Sequence, residues 1–92
     1  MLTLEYQAQF KRDIRTLLKR KWDMALLQEV VEMLQSGTAL PPQYRDHPLS
    51  GNWRDHRDCH IRGDWVLIYR IYEEEKKLRL VRTGSHSDLG LD

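Results

Sequence analysis

Cysteine is nearly missing from the chain. With Cys59 alone among 92 residues, no internal disulfide can brace the fold, so packing must hold it together, alone or with a partner. Long apolar runs are missing too. No stretch approaches the roughly 18 residues of a membrane span, and the opening MLTLEYQAQFKRDIR lacks the basic-then-apolar order of a secretory leader. A cytoplasmic location without membrane attachment is the expectation. Neither charge dominates: 15 Lys+Arg against 14 Asp+Glu leave a formal charge of +1, so no global field draws the chain onto nucleic acid or membrane. Any anion site must be a local cluster. Paired cysteines and an HExxH motif are absent, so no metal or cofactor is expected. The apolar share, 40%, suits one small domain over residues 1–92 and leaves too little for a second core.

Periodicity orders the elements. Leu2, Leu4 and Tyr6 alternate with Thr3 and Glu5, the pattern of a short half-buried strand. Phe10, Ile14, Leu17 and Leu18 then follow helical spacing, with Lys11, Arg15 and Lys19 on the opposite face. Asp23 as N-cap, Leu27, Val30, Val31 and Leu34 at core spacing, and Gly37 at the C-terminal end define a second helix. Residues 37–51, with Pro41, Pro42 and Pro48, form a long loop. Such loops in compact domains tend to be functional. Strands are expected at Trp53 to Ile61, Trp65 to Tyr72 and Leu78 to Thr83, joined by two hairpin turns. The result is an α+β fold of order βααβββ, with two N-terminal helices packed on one face of a small, mainly antiparallel sheet. Its expected core is Leu4, Phe10, Ile14, Leu17, Leu27, Val30, Val31, Leu34, Leu67, Ile71, Leu78 and Leu80.

The strand from Trp53 to Ile61 divides its chemistry between two faces. Alternation sends Cys59 and Ile61 toward the helices and leaves His56, Asp58 and His60 looking away onto an open sheet face. Four histidines occur: His47 in the loop, His56 and His60 here, and His86 after the last strand. Imidazoles among carboxylates point to acid/base work or a metal site. Geometry disfavours the metal, because residues four apart on a strand lie about 13 Å apart at roughly 3.3 Å per residue. Cys59, on the buried face, is expected to be inert. Trp53 and Trp65 are expected to anchor the core.

The run Tyr44-Arg-Asp-His-Pro-Leu-Ser-Gly-Asn-Trp53, the run Arg57-Asp-Cys-His-Ile61 followed by Asp64-Trp-Val-Leu-Ile-Tyr69, and the ending Arg82-Thr-Gly-Ser-His86 together resemble the YafQ branch of the RelE/ParE toxins. The resemblance covers nearly the whole chain and shares the element order read above. It implies a type II toxin-antitoxin system, in which the toxin is a ribosome-dependent mRNA interferase that cleaves messages in the A site and a cognate antitoxin neutralises it. An unpaired sheet edge and the exposed catalytic face are where an antitoxin could bind.

By the same resemblance, the site residues are His47, His60, Asp64, Arg82 and His86. Metal-independent RNA cleavage needs a base for the ribose 2′-OH, a cation for the crowded phosphorane and an acid for the departing 5′-oxygen. His86 is expected as the acid, with His60 and Asp64 on the base side. His47 would orient substrate or share the base role, and Arg82 would donate two hydrogen bonds to the phosphate. Gly90 stands where the family carries a base-holding aromatic, and Leu91 follows. Docking onto ribosomal RNA falls to Lys11, Arg12, Arg15, Lys19, Arg20 and Lys21. Two other readings stay open: a ParE-like toxin of DNA gyrase, a branch without the histidine set, and a non-catalytic antitoxin-binding co-repressor.

Overall fold

The computed structural model describes residues 1–91; the domain expected over residues 1–92 ends on Asp92, outside the described residues. Strand β1 (Thr3–Tyr6) leads into helices α1 (Ala8–Lys19) and α2 (Met24–Gln35), and strands β2 (His47–Pro48), β3 (Arg57–Arg62), β4 (Trp65–Tyr72) and β5 (Lys77–Ser85) follow, closed by a short helix α3 (His86–Leu89). The sheet order is β1-β5-β4-β3-β2. β1 runs parallel to β5, and every other pairing is antiparallel. Among the described residues, no helix is long and apolar enough to cross a membrane.

Local chemistry explains the helical hairpin. Asp23 caps α2, its carboxylate accepting from the Ala25 backbone N–H at 3.0 Å. Beneath the helices lie Phe10, Leu17, Leu27, Val30, Val31, Leu34, Cys59, Ile61, Leu67, Tyr69, Leu78 and Leu80. Nine of these were expected in the core; Leu4, Ile14 and Ile71, also expected there, are only partly buried at its margin. Cys59 is fully buried, and burial pushes its thiol pKa far up.

Three expected boundaries move. The strand read from Trp53 begins at Arg57, because Gly51 (φ 63°) and Asp55 (φ 69°) are left-handed and coil residues 51–53 into a 3-10 turn. Trp53 therefore packs on the sheet face opposite the helices. Inside the expected loop, His47 and Pro48 pair with Asp58 and Arg57 as an edge strand, where proline's missing N–H is tolerated. At the other end β5 continues past Thr83 to Ser85, whose side chain caps α3 in a reciprocal arrangement with Asp88.

The outer sheet face is partly covered. β4 is buried on both sides: Trp65, Leu67 and Tyr69 belong to the helix-side core, while Val66 and Ile68 sit under Leu49, Trp53, Val81, Leu89 and Leu91. A bulge makes room for this. Ile68 pairs with Arg82 but Tyr69 with Leu80, so Val81 is left over and the strand re-aims. The portion around His60 lies beyond this cover and is half-exposed.

Candidate active site

Residues directly opposite on neighbouring strands share a sheet face. The register strings His47, Asp58, Ile68 and Arg82 into one cross-strand row, and His60, Val66 and Gly84 into the next. His86 opens α3 two residues after Gly84. The two rows thus carry His47, His60 and His86 to one end of the outer face. The His60 ring centroid lies 5.0 Å from that of His86 and 6.5 Å from that of His47.

Each outer imidazole is held by its Nδ1. The Arg45 carbonyl lies 2.7 Å from His47 Nδ1 and, as an acceptor only, fixes the proton there. His47 Nε2 then faces Asp58 Oδ1 at 3.1 Å. The two are not aligned as a hydrogen bond, and Asp58 Oδ1 is a buried oxygen without a hydrogen-bond partner among the described residues. Burial raises the Asp58 pKa, and the neighbouring His47, His60 and His86 pull it back.

His86 is fixed differently. Its Nδ1 is hydrogen-bonded to Asp64 Oδ1, and its backbone N–H reaches the same oxygen at 3.3 Å. This bond holds the exposed Asp64 carboxyl below its ordinary pKa and leaves His86 Nε2 free to face a substrate. Asp64, expected on the base side, therefore accompanies the expected acid. His56 stays outside the cluster, its Nδ1 turned to the Arg54 carbonyl at 3.1 Å and its ring edge-on to Trp53.

Arg82 lies in the row of Asp58, but its guanidinium is occupied on one side. Nε donates to Asp13 Oδ2 at 2.8 Å and Nη2 to Asp13 Oδ1 at 3.1 Å. The Thr83 backbone N–H donates to Asp13 as well. Nη1 keeps its hydrogens for another acceptor. Sequence reasoning missed Asp13 and left Asp58 off the site, yet both signals were visible: Asp13 shares the core spacing of Phe10, Ile14 and Leu17, and Asp58 shares a strand face with His60.

The base of α3 is tied down from α1. Arg20 grips Asp88 through two hydrogen bonds of 2.7 and 3.1 Å, and this pairing, with the Ser85 contacts, holds the Asp88 carboxyl far below its usual pKa. Gly84 permits the close approach: a Cβ there would meet Asp88 Oδ2 at 3.0 Å and Asp88 Cβ at 3.1 Å, at a φ of 156° that suits glycine. Gly84→Ala should displace α3 and with it His86, lowering activity at least tenfold while the helix-side core still melts cooperatively. Equal activity would show that α3 tolerates the shift. Of the basic residues read as a docking set, Lys11, Arg12, Arg15 and Lys19 stand exposed on α1, whereas Arg20 is committed to Asp88 and Lys21 lies in the following turn.

Residues 2–90 match the family model described as "Bacterial toxin of type II toxin-antitoxin system, YafQ". The chain belongs to the YafQ toxin family. A YafQ of Escherichia coli K12, named an mRNA interferase toxin, is 41% identical over 87 residues, covering 94% of this chain and 92% of its own. A toxin of Helicobacter pylori, solved in a metal-bound form, is 45% identical and superposes with a TM-score of 0.91 over 97% of this chain and 99% of that one. YafQ in the E. coli DinJ-YafQ toxin-antitoxin complex is 39% identical with a TM-score of 0.85, over 96% of each chain. Among the described residues of this YafQ member, no three His, Cys, Asp or Glu side chains converge as a set that could hold a metal ion. Gly90, in place of the family aromatic, has φ 67° and ends α3, and Leu91 turns into the outer apolar cluster.

Proposed function

We propose that this YafQ member is a ribosome-dependent mRNA endoribonuclease, neutralised by a cognate antitoxin, that uses side-chain acid/base chemistry without a metal. The observation that supports it is the convergence of His47, His60 and His86 with Asp58 and Asp64 on one open face. His60, whose ring neighbours those of both His47 and His86, takes the 2′-OH proton as the oxygen attacks phosphorus. His47, with Nε2 beside Asp58, orients the ribose. Arg82, steadied by Asp13, offers Nη1 to the phosphorane. The bond from phosphorus to the 5′-oxygen breaks, that oxygen takes the proton from His86, and a 2′,3′-cyclic phosphate remains.

Programmed ribosomes test this directly. Purified toxin should cut the message in the A site and leave a 2′,3′-cyclic phosphate facing a 5′-hydroxyl. Intact messages together with inhibited gyrase would move the chain to the ParE reading, and intact messages with operator binding to the co-repressor reading.

Docking we assign to Lys11, Arg12, Arg15 and Lys19, whose helix lies on the opposite side of the sheet from the histidines. Reversing two of those charges should weaken ribosome association in a salt-dependent way, each lost phosphate contact lowering the log-log salt slope by about 0.7 to 0.9. Cleavage at saturating ribosome should stay near the parent's. Unchanged binding across a salt series would return these residues to simple solvation.

A further inference from the structure

A cavity of about 520 Å³ opens between the α1–α2 turn and the β3–β4 turn, lined by Lys21, Trp22, Asp23, Arg62, Asp64 and Trp65 among others. Its floor is aromatic. Trp65 is buried and its indole N–H is satisfied by the Thr83 hydroxyl at 2.8 Å, so it is fixed in place. Trp22 is half-buried and packs against Trp65 with centroids 5.1 Å apart, with the Arg20 guanidinium 5.4 Å from its ring centroid. Held on two sides, Trp22 presents its remaining surface to the cavity.

The rim carries two cations and two carboxylates. Asp23 is engaged in capping α2 and Asp64 in holding His86, while Lys21 and Arg62 make no ion pair among the described residues. Both carboxylates keep their charge, and Lys21 and Arg62 are the cations at the mouth that no carboxylate among the described residues pairs with. Asp64 and Ser85 line the same cavity, and Ser85 immediately precedes His86. Its mouth thus adjoins the imidazole that faces the departing oxygen.

We propose that this cavity is a nucleotide subsite: it takes one base of single-stranded RNA, next to the scissile position, against Trp22, while Lys21 and Arg62 receive the adjoining phosphate. The proposal rests on the endoribonuclease reading for its position relative to the cut. An aromatic floor with unpaired cations beside it is the combination that holds single strands without demanding one sequence.

Two measurements separate the subsite from that reading. In cleavage on programmed ribosomes, Trp22→Ala should raise KM roughly tenfold, the order expected for losing one stacked base, with kcat little changed and Trp22→Phe restoring most of the loss. In a titration without ribosomes, a short oligoribonucleotide carrying 2-aminopurine, with a 2′-O-methyl group at each position so that it cannot be cut, should be quenched by the parent and much less by Trp22→Ala. Lys21→Asn suits the left-handed turn at φ 60°, and Arg62→Gln is a surface change, so both should fold. Each should weaken binding more at low salt than at high salt. If the parent cuts no RNA, the endoribonuclease reading falls and the titration alone decides the cavity. Trp22→Ala binding the oligonucleotide as well as the parent would overturn the subsite, as would a Trp22→Ala defect confined to antitoxin binding.

Discussion

His86→Gln should fold like the parent and cleave messages about 100- to 10,000-fold more slowly, the range spanned by loss of a positioned general acid. The 5′-alkoxide is a poor leaving group unless it takes a proton as the bond breaks. Glutamine fills similar space on an exposed helix start but transfers no proton. Asp64 loses an imidazole partner and remains solvated, so the fold loses little. The depressed Asp64 pKa means that its grip on His86 is fully present above the ordinary carboxylate range and fails only as pH falls through the lowered value. Single-turnover cleavage gives the size of the effect. A message with sulfur in place of the bridging 5′-oxygen decides its cause, because a thiolate leaves without a proton and the variant should then cut nearly as fast as the parent. An undiminished rate on the natural message would reject His86 as the acid.

Asp58→Asn should move stability and activity in opposite directions. The carboxylate is 3% exposed and one of its oxygens lacks a hydrogen-bond partner, so its charge is costly to bury. With the folded pKa raised above the unfolded one, the parent loses stability as pH rises through that range, whereas an amide does not titrate. At low pH both forms are neutral and should melt alike. At neutral pH the variant should be more stable by about 1 kcal/mol, the scale of one buried polar group's desolvation. Activity should fall on the order of 100-fold, because the amide no longer sets a carboxylate against the His47 imidazole beside His60. Thermal melts across pH, paired with cleavage rates, check both halves. A variant that is less stable at neutral pH would show that the His47 contact outweighs the burial cost.

The helical hairpin and the meander were legible because local periodicity decides them. The placement of His60 opposite Cys59 and Ile61 followed from strand alternation alone, and the structure has it so. His56 misled for a local reason: left-handed Gly51 and Asp55 delay the strand, so alternation does not extend back to residue 56. The edge strand at His47 needs a partner found eleven positions later, at Asp58, and the bulge at Val81 depends on what lies across from it. Neither is written in a local pattern. The five proposed catalytic residues came from motif resemblance, which carries no geometry, so the pairing of Asp64 with His86 and the shackling of Arg82 by Asp13 had to be seen in three dimensions.

The parallel seam between β1 and β5 governs when a newly made chain can act. Glu5 and Arg79, joined across that seam, stand 74 positions apart, so nearly the whole chain must be synthesised before the first strand finds its place. Contacts this distant in sequence form slowly, since a long loop must close before they return any energy. Arg82, Gly84 and His86 emerge later still. A nascent toxin carries its histidine face unassembled past the ribosome that makes it, and an early termination product lacks His86 altogether. Cutting power is thereby confined to finished molecules, which leaves an antitoxin the interval of folding in which to meet them.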